Sequence, residues 1–220
     1  QVKFLMENVR MKKEFEDYIT FHTEEALGKV NKHLVNSALV SAQNRKRFYW
    51  TNIDGIEQPE DQGLVLSDIL MDGHVDRDKS HCLDANYFKG GNPKSYFGKS
   101  RRQLVFDRPC ELKDFDPKAE CHHVATATDI NGHDSIKRVY ADSGKSPTIN
   151  TMGGGNREPK VLVSDLIPTY RKLRPCECEA LQTFPIGYTE GISNSQRYKC
   201  LGNSFTVSVV SHILNYAFSS

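Results

Sequence analysis

The first 53 residues alternate between strand and helix periods, and that alternation constrains the fold more than any other feature of the chain. Residues 2–6 show the weak alternation of a buried strand and end at Glu7-Asn8, as a strand does before a site loop. Met11, Phe15, Tyr18 and Ile19 then recur at helical spacing across residues 11–21, with charges between them. Residues 32–37 read as a short strand. Residues 47–53, rich in aromatic and β-branched side chains, read as a stronger one. Strand, helix, strand, loop, strand is the texture of an α/β sheet.

From about Asp54 the texture changes. Gly90-Gly91-Asn92-Pro93, residues 129–134, Asp142-Ser143-Gly144 and Gly153-Gly154-Gly155-Asn156 are all turn or loop signals. The spacing predicts a separate loop-rich lobe with short β elements, ending near Thr169; the plain alternative is a surface insertion. Residues 175–182 read as a helix that stops before Pro185. A second helix is predicted over residues 205–218, where Val207, Val209, Val210, Ile213, Leu214 and Ala217 share a helical period. Asn203 or Ser204 is placed to cap it. The chain thus divides into residues 1–54, 55–169 and 170–220.

A length of 220 residues suffices for one domain with a sizeable core, or one domain plus a small second one. No apolar run approaches the ~20 residues that cross a bilayer, so no membrane partner is expected. The first residues read as a core strand and not as a signal peptide, and a first residue other than Met predicts a fragment or a processed product. The formal net charge is +1, so no global basic field advertises nucleic acid. Basic residues nevertheless cluster at Arg45-Lys46-Arg47, residues 99–102, Lys137-Arg138 and residues 171–174. An enzyme of DNA needs only a local positive cleft, although any one such cluster reads first as a solvated face. Cys176 and Cys178 are too close for the common zinc spacings, and Cys121-His122-His123 lacks a matching pair. No metal site is expected, and free cytoplasmic thiols are the default.

Two short segments carry the chemistry. Glu7-Asn8-Val9 and the run Gln43, Arg45, Arg47 resemble the Glu-Asn-Val and Gln-x-Arg-x-Arg elements of the DNA (cytosine-5)-methyltransferase family. Further along, Lys137-Arg138-Val139-Tyr140 and residues 146–155 look like that family's recognition-loop segments. Residues 171–185 are similar to the element that packs the recognition lobe on the catalytic domain, and residues 198–204 to the Gly-Asn-Ser element that returns to the cofactor pocket. Each element is weak alone; five in order at workable spacings form a specific pattern.

The resemblance implies part of a doubly wound α/β sheet that binds S-adenosylmethionine at its strand ends, plus a smaller loop-rich β target-recognition lobe. It implies methyl transfer to C5 of a cytosine flipped out of double-stranded DNA, in the cytoplasm of a bacterial or phage-infected cell. In that chemistry a thiolate adds at C6 and negative charge builds on the ring. Glu7 would hold or donate a proton at N3 and accept from the exocyclic amine. Arg47 would hold O2 with its fixed fork of donors, and Arg45 would touch the DNA backbone or the surroundings of Glu7. Asn203 and Ser204 would contact the methionine part of S-adenosylmethionine. Arg138 would reach guanine or a phosphate, and Thr148 with Gly153, Gly154 and Gly155 would let backbone approach DNA.

The family's glycine-rich cofactor loop and its Pro-Cys nucleophile loop both precede the Glu-Asn-Val strand, and neither is in this chain. Pro109-Cys110 and Pro175-Cys176 stand in the wrong elements and receive no catalytic role. The expectation is therefore a C-terminal portion, inactive alone, whose missing N-terminal segment belongs to the same polypeptide or to a partner subunit. The alternatives are the second subunit of a split enzyme and a non-catalytic DNA-binding relative. For single residues the plain alternatives are a helix N-terminal carboxylate for Glu7, a solvated hairpin edge for Arg45 and Arg47, and a helix cap for Asn203 and Ser204.

Overall fold

A computed structural model of the chain describes residues 2–111, 115, 123–141, 158–162 and 168–218. Thr148, Gly153, Gly154 and Gly155 lie outside the described residues. The chain forms two compact units, Gln1–Val105 with Arg171–Ser220, and Phe106–Tyr170.

The first unit is organised by a three-stranded sheet of β1 (Leu5–Val9), β2 (Asn31–Asn36) and β3 (Lys46–Thr51), with β3 central. Both outer strands run antiparallel to β3 and hence parallel to one another. Helix α1 (Lys13–Leu27) connects them. Glu14 and Glu16 in its first turn suit the positive end of the helix, and Gly28, at φ 84°, ends it by donating to the Glu24 carbonyl.

The pleat of β3 sends alternate side chains to opposite faces. Phe48 and Trp50 pack with Phe4, Met6, Met11 and Ile19 on the α1 side. Tyr49 packs with Val35, Ile53, Val209 and Ile213 on the other, covered by α6 (Val207–Phe218). The sheet therefore has a helix on each face, as the strand–helix alternation implies. β1 runs through Glu7 and Asn8 to Val9, beyond the end read from sequence, because Val9 pairs with Arg47.

Residues 54–105 belong to the first unit, where the sequence reading starts a separate lobe near residue 55. Leu66, Leu83, Tyr87 and Val105 form one core with Leu173, Cys178 and Leu181 around α4 (Pro175–Leu181), and with Tyr198 and Leu201 of α5 (Asn194–Asn203). These apolar residues are spaced too widely to show a period, so the segment reads as loop. α2 (Pro93–Lys99) starts with Pro93 behind the side-chain cap Asn92, which accepts from Ser95.

Asn203 and Ser204 do not cap α6. Asn203 ends α5, Ser204 follows it, and the α6 amides of Val209 and Val210 bond the carbonyl of Thr206. The Ser208 amide donates to the Thr183 hydroxyl at 2.8 Å.

β4 (Leu104–Phe106) and β8 (Tyr170–Lys172) pair where the chain passes between the units. The second unit contains β5 (His123–Thr126), the short α3 (Asp134–Lys137), β6 (Arg138–Ala141) and β7 (Lys160–Leu162). β5 pairs antiparallel with β6, and β7 parallel with it.

Candidate active site

Glu7 and Arg47 come together. Glu7 faces Tyr49 across the β1–β3 ladder and Val9 faces Arg47, so the carboxylate and the guanidinium are diagonal neighbours on one face of the sheet. Arg47 Nε lies 3.0 Å from Glu7 Oε1, with the side chains 14% and 26% exposed. The contact is an ion pair by distance but lacks hydrogen-bond alignment, and Oε1, itself covered, has no hydrogen-bond donor among the described residues. Arg47 Nη1 donates to the Lys46 carbonyl at 2.9 Å and Nη2 to Cys82 Sγ at 3.6 Å. Burial, and then the charge of Glu7, holds the Tyr49 phenol well above its ordinary range, so the hydroxyl stays protonated beneath the pair.

Arg45 is only 3% exposed. Its Nη1 donates to the Leu83 carbonyl at 3.1 Å and to Cys82 Sγ at 3.5 Å, and its Nη2 to the Ser204 carbonyl. Burial, and then the like charge of Arg47, lowers its pKa. This arginine serves protein carbonyls, and of the two surroundings read from sequence its burial fits the neighbourhood of Glu7 and Arg47 and not the DNA backbone.

The segment around Cys82 went unread in the sequence. It runs beside Ala42–Arg45: the Ser80 amide donates to the Ala42 carbonyl at 2.7 Å, the Asn44 amide to the Ser80 carbonyl at 2.9 Å, and the Leu83 amide to Gln43 Oε1 at 2.7 Å. Gln43 is fully buried and its amide also donates to the Leu181 carbonyl at 3.2 Å. No local pattern marks this segment, because its bonds join residues about forty positions apart.

Of the two residues assigned to the cofactor, Asn203 is exposed and its amide has no hydrogen-bond partner among the described residues. Ser204 is engaged: its carbonyl accepts from Arg45 and its hydroxyl donates to the Leu201 carbonyl at 2.9 Å. Asn203 therefore fits a polar ligand group and Ser204 fits an anchoring role.

Arg171, Glu177 and Gln182 bind other protein groups. Arg171 pairs with Asp72 at 2.7 Å and with the buried Glu177 at 2.8 Å. All three residues tie segments of the first unit to each other. In the second unit Arg138 is exposed and lines a polar concavity of about 480 Å³ with His123, Thr126, Asp134 and Tyr140. The described residues contain no cluster of three or more His, Cys, Asp or Glu able to hold a metal, and none of their helices is long and apolar enough to cross a membrane.

Comparison with known proteins places these elements in a family. The model of the C-5 cytosine-specific DNA methylase family matches residues 3–219. The orphan methyltransferase M.SPBetaI of Bacillus phage SPbeta is 37% identical over an alignment covering 39% of this chain and 30% of that protein. The type II methyltransferase M.Sau3AI of Staphylococcus aureus is 44% identical over 21% of this chain and 11% of its own. The match thus spans less than a third of the length of these curated relatives. Among solved structures, a mutant of Spodoptera frugiperda DNMT2 superposes with a TM-score of 0.55 at 21% identity, covering 98% of this chain and 66% of that one. The Entamoeba histolytica methyltransferase EhMeth superposes at 0.54 and 14% identity, covering 99% and 62%. At such identities the structural likeness concerns the fold.

Proposed function

The chain belongs to the C-5 cytosine-specific DNA methylase family, and on that premise we propose that the complete protein carrying it methylates C5 of a cytosine turned out of duplex DNA. The carrying observation is the Glu7–Arg47 pair, whose covered carboxylate oxygen has no aligned donor among the described residues. A cytosine edge offers an acceptor at N3 and a donor at the exocyclic amine. A carboxyl group that holds a proton at N3 and accepts from the amine fits both. Arg47 supplies a planar fork of donors for O2. Arg45 holds Leu83 and Ser204 in place behind the pair.

S-adenosylmethionine supplies the methyl group when bound. Asn203 is the residue of this chain we assign to its amino-acid end, with Ser204 fixing the turn that carries it. The thiol that adds to C6 we place in a segment preceding Glu7, in the same polypeptide or in a partner subunit. We extend the three-stranded sheet into a doubly wound sheet completed by that segment. The Phe106–Tyr170 unit we assign to target recognition, with Arg138 at a guanine or a phosphate and Thr148, Gly153, Gly154 and Gly155 at the DNA backbone. The host compartment is the cytoplasm of a bacterial or phage-infected cell.

The test is incubation of the complete protein with duplex DNA and methyl-labelled S-adenosylmethionine, followed by base-resolution mapping. 5-Methylcytosine at one short sequence is the expected product. Absence of labelled DNA, or label on adenine or on RNA alone, overturns the reading.

A further inference from the structure

Cys82 Sγ is the one side-chain atom among the described residues that accepts from both arginines of the candidate site, Arg45 at 3.5 Å and Arg47 at 3.6 Å. The same sulfur faces the Leu83 carbonyl at 3.6 Å as a donor. Its backbone is held on both sides, by the Ser80 bonds to Ala42 and Asn44 and by the Leu83 bond to Gln43. The thiol therefore occupies a fixed place.

The contact between Arg47 and Glu7 has ion-pair distance without hydrogen-bond alignment, so it does not set the plane of the guanidinium. Two other contacts bear on it: the Lys46 carbonyl on Nη1 and Cys82 Sγ on Nη2. The carbonyl belongs to the residue next to Arg47 and leaves rotation about the far end of the side chain open. Sulfur is large and polarizable, and it accepts from both guanidiniums at 3.5 and 3.6 Å, so one side chain serves two like-charged groups.

We propose that Cys82 is a positioning residue of this site, which turns the Arg47 guanidinium so that Nε faces Glu7 and the remaining donors face the cytosine. This rests on the methyltransferase reading above for its consequence and on the geometry alone for its cause. A shift of a donor by about 1 Å costs up to about 100-fold in rate.

The experiment uses the complete protein with Cys82→Ala, Cys82→Val and Cys82→Ser. Valine keeps the volume and accepts nothing; serine keeps an acceptor. Two quantities are measured: hydrogen exchange of the Arg47 Nε–H by NMR, and kcat with KM for duplex DNA. Expected are an exchange roughly tenfold faster and a kcat about tenfold lower in both the alanine and valine variants, with KM within about twofold, and recovery of at least about a third of kcat by serine. Unchanged exchange in the valine variant overturns the proposal even if the alanine variant fails to fold. A serine variant with wild-type exchange but no turnover also overturns it, since it marks the thiol as a nucleophile. If the wild-type protein methylates nothing while exchange responds as expected, the methyltransferase reading falls and the positioning of Arg47 stands.

Discussion

Gly202 lies against the backbone of Asp84 so closely that a β-carbon at position 202 would stand 2.2 Å from the Asp84 carbonyl oxygen. The glycine that opens the Gly-Asn-Ser element is thus a packing requirement: it lets α5 seat on the segment that presents Cys82 and Leu83 to Arg45. Gly202→Ala has no flexible side chain to push aside, only backbone. It should cost about 3 kcal/mol, which lowers Tm by roughly 6–12 °C. Gly98 in α2 is the control, because a β-carbon there would have nothing within 4 Å. Gly98→Ala should leave Tm unchanged or raise it by a few degrees through helix propensity, by about 1 kcal/mol at most. Thermal unfolding of the two variants side by side checks the pair.

Glu7→Gln keeps the shape of the side chain and removes its ability to hold a proton at N3. Methyl transfer should fall by about 10²–10⁴-fold, while affinity for duplex DNA changes by less than about threefold. Arg47→Lys keeps the charge and loses the fork, so about a tenfold loss of kcat is expected. Single-turnover methylation with a parallel DNA-binding titration measures both. Full transfer by the glutamine variant would remove Glu7 from the chemistry.

The parts of this fold that were legible in the sequence are the ones with a local period. The strand read at residues 32–37 lies at Asn31–Asn36, and the helix read at residues 175–182 lies at Pro175–Leu181. α5 was not read, because its ten residues are mostly polar and bury only Tyr198, Leu201 and Gly202. Glu7 and Arg47 were legible as motif residues, and the ladder between β1 and β3 brings them together. Arg45 was read as touching the DNA backbone or the surroundings of Glu7; the carbonyls it satisfies belong to Leu83 and Ser204, which no spacing rule connects to it. Cys82 was invisible for the same reason: the isolated bridge between Gln43 and Ser80 that brings it to the site is a tertiary event.

A chain of buried amides and hydroxyls holds the returning C-terminal segment to the first half of the unit. Gln182, fully buried, donates to the Leu201 carbonyl at 2.8 Å, and its Oε1 accepts from Thr206 at 3.0 Å and from Gln43 at 3.4 Å. Thr206 in turn shares a hydrogen bond with Ser37 at 2.8 Å. Gln182→Leu fills the space but strands those partners without water, so it should cost about 2–4 kcal/mol. Urea unfolding of Gln182→Leu and Thr206→Val, alone and together, should give a double-variant loss smaller than the sum, because both remove the same bond.

Glu179, in α4 and with no exposed side-chain surface, is the group through which acid should loosen the 185–193 loop. Burial alone would raise its pKa, but bonds from the Thr189 hydroxyl and amide, from Arg197 and from the Gly187 amide outweigh burial and hold it below the ordinary carboxylate value. A depressed folded-state pKa means the unfolded chain binds the proton first. The stabilisation is then complete above the unfolded value of about 4.5 and is lost as pH falls through the lower folded one. Glu179→Gln should lose about 2 kcal/mol at pH 7 relative to wild type, and that gap should shrink as pH falls below about 4.5. Denaturant unfolding of both proteins from about pH 7 to about pH 3 measures it. A gap that stays constant across that range would mean the carboxylate contributes by packing and not by charge.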